Sequence, residues 1–456
     1  MRVLKFGGTS VADAEAIAGV VSIVGARPGA RVVVVSALAG ATDALLAIAH
    51  LAAKDAVAAM GELHDLARRH RETMTRVRTL YPRQVLDAAI EGIARGAAQT
   101  VHAIAAAGQP SPALVDKLIA SGELWSSRLL AAFLADAGVP AQWIDARHIV
   151  RTDARHRAAL PDLEATDKAV GRLVRPALAV DRVVVTAGFI GSAPDGSTTT
   201  LGRGGSDYSA AVIGACLMAD EIEIWTDVDG VLSADPRVVS GARVLPALSY
   251  EDAETLARFG AKVLHPRTIE PAAAREIPVI VRNSRRPEEP GTRIDASGAG
   301  DGRSAAVTSR AGVSLVEITA RDRPPDGSFA ARALQSLADA NISLVVGEIH
   351  RDRLVVAIDQ AFDLTAFRAR VAAFAQVQMR DGLAAVCAVG DRLASEPGLV
   401  MGAFAVLDEG PVHLVSRPSG SAAFAVIVDD CDAHKLVARL HDRFAGEALA
   451  AGPPLP

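Results

Sequence analysis

Across residues 1–295, short β-branched runs alternate with long Ala/Leu stretches of helical period. That is the pattern of an α/β fold with a mostly parallel sheet sandwiched by helices. The clearest strands are residues 3–6, 32–36, 183–187, 221–226 and 279–282, each bordered by Gly, Asp or Pro. Between about residues 44 and 135 the period is almost wholly helical. Residues 295–306 are small and aperiodic, which marks a linker and a domain boundary. Beyond it come two similar α+β blocks. In the first, residues 313–319, 342–349 and 354–358 read as strands, and 327–340 and 364–375 as helices. In the second, residues 384–389, 412–416 and 422–428 read as strands, followed by a helix capped by Asp432. Pattern alone leaves open whether this pair only packs or also senses a ligand.

Length and composition narrow the class. A chain of 456 residues exceeds one ordinary core and predicts two to four domains. Half the residues are apolar and 22% are charged, which leaves ample material for buried sheets. A formal net charge of −5 argues against a nucleic-acid partner. The sequence holds no unbroken apolar run of about 20 residues, and Asp13 and Glu15 fall where a signal peptide would be apolar, so a cytoplasmic protein without a membrane partner is expected. Cys216, Cys387 and Cys431 are isolated from one another, which predicts neither disulfides nor a metal site. Six of the 48 basic residues are Lys, so a Lys inside a motif carries weight. Lys5 and Lys262 lie in glycine-bearing stretches, whereas Lys54, Lys117, Lys168 and Lys435 read as solvated helix charges.

Four stretches carry candidate chemistry. Lys5-Phe-Gly-Gly-Thr-Ser10 runs a strand into two glycines ahead of a helix. Such a turn suits a phosphate, because glycine lets backbone N–H groups approach an anion and Lys5 adds charge; it also suits a plain strand–turn–helix corner. No Gly-Lys dipeptide occurs, which excludes the Walker A loop. Thr198-Thr-Thr-Leu-Gly-Arg-Gly-Gly-Ser-Asp207 sets Arg203 among glycines and Asp207 in a first helical turn, a candidate cradle for a small zwitterion. Trp225-Thr-Asp-Val-Asp-Gly230, continuing to Asp235-Pro-Arg237, follows a strand end, where ligands of open α/β sheets bind. Phe259-Gly-Ala-Lys-Val-Leu-His-Pro266 offers a second cation, Lys262, just before a helix that starts on Pro266.

Together with Ser36-Ala-Leu-Ala-Gly-Ala-Thr-Asp43 and Ser121-Gly-Glu-Leu124, these stretches closely resemble the aspartate kinases of the amino-acid kinase superfamily. The resemblance covers essentially residues 1–295; the remainder resembles, more distantly, the paired ACT domains that follow this kinase domain, one nested within the other in relatives. It implies a catalytic domain over 1–295, a linker over 296–306, and ACT-like domains over 307–382 and 383–450. The implied reaction is transfer of a phosphoryl group from ATP, carried with Mg²⁺, to L-aspartate. The product is 4-phospho-L-aspartate, the first intermediate on the route to lysine, threonine and methionine. The implied partners are those substrates and, through the ACT-like domains, a second copy of the chain.

Residue by residue, the resemblance implies that Lys5, Asp207 and Lys262 are catalytic. Arg203 would grip the substrate α-carboxylate, Glu123 and Asp207 would face its α-ammonium, and Thr42 and Ser206 would complete the substrate site. Lys5, Gly7, Gly8, Thr9, Ser10, Thr226, Asp227, Arg237, Lys262 and Val263 would hold the nucleotide. Glu123 with Arg203 favours a free amino acid over the acetylglutamate, carbamate or nucleotide substrates of sister kinases. A non-catalytic sensor built on the same shell is the rival of another class. In lysine-sensitive members the strand after the first ACT helix runs into Thr-Ser-Glu, whereas this chain has Val346-Gly-Glu-Ile-His-Arg-Asp-Arg353, so weak or absent control by lysine is expected.

Overall fold

The computed structural model describes residues 1–261, 264, 266–298, 306–322, 328–340, 342–359, 362–390, 393, 397–407, 410–417 and 423–450. The chain divides into two compact units, residues 1–231 with 264–298, and residues 232–263 with 299–456.

In the first unit the strands lie in the order Ala141–Trp143, Val183–Ala187, Arg31–Val35, Arg2–Phe6, Glu221–Thr226, Val279–Asn283, Thr292–Asp295. All pairings are parallel except the last. The strand Arg2–Phe6 has the next strand in sequence on one side and Glu221–Thr226 on the other, so the winding reverses around it. Its C-terminal end is therefore a topological switch point, where open α/β sheets bind ligands. Helices cover both faces, so the central strands are near-continuous apolar runs and Val32, Val33, Val34 and Val35 are wholly buried. The helical region contains Ala41–Ala52, Ala56–Met74, Leu80–Ala107 and Pro112–Asp136. The last starts on Ser111, whose hydroxyl caps the Leu114 N–H, with Pro112 in its first turn. Pro112–Asp136 is long and apolar enough to cross a membrane, but 72% of its most apolar window is buried in the protein. Leu118, Ile119, Leu129 and Leu130 join the main core.

The second unit carries one antiparallel sheet ordered Leu344–Ile349, Arg353–Ile358, Ala306–Ala320, Ala375–Val389, Ala423–Asp429, Val412–Ser416. Its two central strands are 15 residues long, pair with each other along most of their length, and each has an outer partner along only part of it. Residues 314–319 pair with Arg353–Ile358, while Leu383–Val389 pair with Ala423–Asp429. Each outer pairing begins just after a glycine, Gly312 or Gly382, at φ 71° and 76°. Val307 consequently packs with Ala384, Phe424 and Leu440, whereas Val316 and Ile318 pack with Phe329, Phe367 and Val377. The two blocks thus exchange strand halves. The half-strand before Gly382 is missing from the sequence reading, which runs a helix to residue 375, although Gln376, Gln378 and Arg380 alternate with Ala375, Val377 and Met379 as in a half-buried strand.

Candidate active site

Lys5 is the fourth residue of the first strand and lies just before the switch point. Its side chain is buried, a position a lysine holds only with a partner. The partner is Asp207, whose Oδ1 is 2.5 Å from Nζ. Asp207 is carried in the first turn of the helix Gly205–Leu217, where a carboxylate also complements the helix dipole. That helix starts close to the strand end because the preceding turn is small. A Cβ on Gly188 would stand 2.7 Å from Ser206 Cβ. Phe189, next in the chain, adopts φ 66°, unusual for a bulky residue, and its N–H donates to Ser209 Oγ at 3.0 Å.

These groups surround a cavity of about 260 Å³ lined by Lys5, Ser36, Thr42, Glu123, Phe189, Gly202, Gly204, Gly205, Ser206 and Asp207. Glu123 reaches it from Pro112–Asp136 and is buried, with hydrogen bonds from the Ala37 N–H and the Thr42 hydroxyl. Its Oε2 has no hydrogen-bond partner among the described residues. Burial pushes the Glu123 carboxyl up to about 8, and hydrogen bonds from its own backbone N–H, from Ala37 and from Thr42 only partly oppose that rise. A cationic group entering the cavity would therefore meet a carboxyl that gains a partner by ionising. Gly122 lets the helix approach the 36–42 loop, since a Cβ there would lie 2.9 Å from Ala37 Cβ.

Arg203 is exposed on the 201–205 loop between Gly202 and Gly204, both left-handed at φ 79° and 67°, and is not part of the cavity wall. In the opening turn the Gly7 N–H is taken up by the Trp225 carbonyl at 3.0 Å. A Cβ on Gly8 would meet the Ala37 carbonyl at 2.9 Å. Thr9 and Ser10 border a separate open cleft of about 880 Å³, together with Arg27, Ser284 and Arg285. Ser10 Oγ lies 2.8 Å from Ser284 Oγ. Thr226 and Asp227 sit at the end of the neighbouring strand, joined by a 3.2 Å hydrogen bond. Arg237 belongs to the second unit, where its guanidinium forks onto Asp235. Lys262 and Val263 lie outside the described residues. The structure thus gathers Lys5, Thr42, Glu123, Ser206 and Asp207 in one cavity. Ser36 and Phe189 complete its wall without having been singled out, although Ser36 opens a motif and Gly188 ends a predicted strand.

Comparison with known proteins places the chain in a family. Residues 1–283 match the amino acid kinase family. Lysine-sensitive aspartokinase 3 of Escherichia coli is 34% identical over 450 residues, covering 96% of this chain and 98% of that protein. The chloroplastic aspartokinase 3 of Arabidopsis thaliana is 32% identical over 464 residues, covering 97% of this chain and 81% of that protein. Among solved structures, E. coli aspartokinase III in complex with aspartate and ADP (R-state) superposes with a TM-score of 0.87 at 32% identity, covering 97% of this chain and 99% of that one. The same enzyme in complex with lysine and aspartate (T-state) gives a TM-score of 0.76 at the same identity and coverage. The chain belongs to the amino acid kinase family and, within it, to the aspartate kinases.

Proposed function

We propose that the 260 Å³ cavity holds L-aspartate and that its walls prepare it for phosphorylation by MgATP. The unpartnered, buried Oε2 of Glu123, facing the same small cavity as the Lys5–Asp207 pair, carries this reading. Glu123 and Asp207 receive the substrate α-ammonium, Thr42 and Ser206 offer hydroxyls, and Arg203 swings from the loop to fork the α-carboxylate. A side-chain carboxylate with an ordinary value of about 3.9 is ionised at neutral pH and needs no base. One of its oxygens attacks the γ-phosphorus, the bond to the β-phosphate oxygen breaks, and ADP leaves without a proton transfer. The obstacle is repulsion between two anions, so catalysis rests on positioning and fixed positive charge. Lys5 supplies that charge from the strand end, together with Lys262 and the Mg²⁺ that arrives on the nucleotide, while the Gly8–Ser10 turn, Thr226 and Asp227 line the nucleotide site. The two interleaved blocks of the second unit act as ACT-like domains that pair two copies of a cytoplasmic enzyme.

A coupled ADP-release assay over a panel of amino acids and N-acyl amino acids tests the reading. Turnover is expected with aspartate, with glutamate and N-acetylated acids slower by at least tenfold. Absence of ADP release with every substrate would favour a sensor that has kept the kinase shell.

A further inference from the structure

Asp116 is a second carboxylate on the helix that carries Glu123, seven residues earlier and so two turns away on the same face. Its side chain is wholly buried, where an unsatisfied carboxylate would be costly. It is instead saturated by two separate segments of chain. Oδ1 accepts from the Thr200 hydroxyl at 2.7 Å. Oδ2 accepts from the Thr200 N–H at 3.2 Å, the Arg157 N–H at 2.9 Å and His156 Nδ1 at 3.0 Å.

Thr200 is the last residue before the 201–205 loop, and the Ala159 N–H donates back to its carbonyl at 2.9 Å. Arg157, held by Asp116, adopts a left-handed φ of 74°, and its carbonyl stands 3.2 Å from where a Cβ on Gly202 would project. The carboxylate therefore fastens both the root of the loop and the turn on which Gly202 rests. Nothing in it faces the cavity, so it touches no substrate.

We propose that Asp116 is a positioning residue for aspartate recognition. By clasping Thr200 and the 156–157 turn, it fixes the loop that bears Arg203 and leads into the helix start at Ser206, relative to Glu123 on its own helix. The spacing between the group that reads the α-carboxylate and the group that reads the α-ammonium is then set by one rigid element. This rests on the assignment of Arg203 and Glu123 to the substrate, and it explains why a charged group is kept in an otherwise packed helix interface.

The test is steady-state kinetics on four variants of the full chain, each with a thermal melt. Asp116→Asn replaces an acceptor oxygen by a donor facing donors. It should raise the KM for aspartate about tenfold or more while the KM for ATP stays within about twofold. Thr200→Val should raise the KM for aspartate severalfold, and Thr200→Ser, which keeps the hydroxyl, should restore it. Arg203→Lys, measured alongside, should raise the same constant. If Asp116→Asn fails to fold, the Thr200 pair decides. A KM for aspartate within twofold of the parent in folded Asp116→Asn or Thr200→Val, or equal rises for aspartate and ATP, overturns the proposal. If Arg203→Lys raises the aspartate constant and the other variants do not, only the positioning role falls. If Arg203→Lys has no effect, the substrate assignment falls and the positioning role with it.

Discussion

Gly188 and Gly382 serve opposite purposes in the two units. Gly188 has an ordinary backbone but almost no room, with Ser206 Cβ 2.7 Å from where its own Cβ would be. Gly382 has open space around it but a left-handed backbone at φ 76°. The first lets two segments touch where a site is built, and the second stands where one long strand passes from one apolar core to the other. Charge follows the same division. Among the described residues, Lys5, Asp116, Glu123, Asp145 and Glu223 are buried in the first unit, against Asp252 in the second. Each buried charge needs a partner to be tolerated. Glu223, for example, is satisfied by Arg27 Nε at 2.9 Å and Trp225 Nε1 at 2.8 Å. The second unit instead closes two apolar cores under surface ion pairs such as Arg353–Glu317. Local chemistry governs the first unit, and strand exchange governs the second.

The largest effect is expected at Lys5. On the proposed role, Lys5→Ala removes an ammonium from the transferring phosphoryl group, a loss of about 2–4 kcal/mol of barrier stabilisation, or roughly 30-fold to 10³-fold in kcat. The charge of Asp207 would be left without its partner, so the thermal midpoint must be followed too. A folded variant with kcat within a few-fold of the parent would remove Lys5 from the phosphate site.

The glycine contrast gives the next effect. Gly188→Ala forces Ser206, and with it the turn bearing Asp207, to shift, and should cut kcat/KM for aspartate by about tenfold to a hundredfold, the scale of a 1 Å misplacement. Gly382→Ala should leave kcat unchanged and lower stability by about 1 kcal/mol, the cost of a left-handed alanine. Reversal of these outcomes would dissolve the distinction between the units.

Glu123 sets a pH dependence. Its carboxyl is pushed up to about 8, above its ordinary 4.5, because burial disfavours the charge. The folded-state value is raised, so the stability contributed by the neutral form is fully present below about pH 4.5 and is lost as pH rises through 8. Substrate ammonium favours the ionised form, so aspartate binding releases a proton and tightens from pH 6.5 to 8.5. The KM for aspartate should fall about tenfold over that range in the parent and stay flat in Glu123→Gln, which should also melt higher than the empty parent at pH 8. A flat parent profile would detach Glu123 from the ammonium.

The sequence exposes the first unit well because catalysis demands unusual residues in unusual places. Lys5 stands out as a lysine inside a strand, and it is buried on Asp207, whereas Lys168 is 73% exposed on its helix. Arg203 is equally conspicuous among glycines, yet its exposed position outside the cavity wall follows from loop conformation, which no spacing reveals. Asp116 escapes a sequence reading because an aspartate early in a helix is ordinary, and only the fold brings Thr200 and His156 to it. The passage of each long strand from one core to the other around Gly312 and Gly382 is likewise a matter of long-range pairing, and the sequence reading finds only about half of each 15-residue strand.

The smallest effect is expected from lysine, and it tests whether the second unit keeps any of the first unit's chemical specificity. The E. coli relative is named for its sensitivity to lysine. In this chain the corresponding strand, Leu344–Ile349, returns through a tight turn into Arg353–Ile358, with the His350 N–H donating to the Arg353 carbonyl at 2.7 Å. Gly347 sits against Val355, whose carbonyl would lie 2.8 Å from an added Cβ, so no side chain can be offered at that point. The turn presents His350, Arg351 and Asp352, and Arg321 stands on the adjoining strand end, with its N–H on the Phe374 carbonyl. Cationic groups there repel an ammonium, and an effector shifts activity only by its difference in affinity between two states. Lysine at about 10 mM, well above the micromolar-to-millimolar range of small-ligand sites, should leave activity within about twofold at both saturating and subsaturating aspartate. Threonine, titrated in parallel, distinguishes a different effector from a purely structural pairing role. Half-inhibition by lysine below about 1 mM would show that sensing survives without hydroxyl donors in this turn, and the contrast between the two units would then be one of architecture alone.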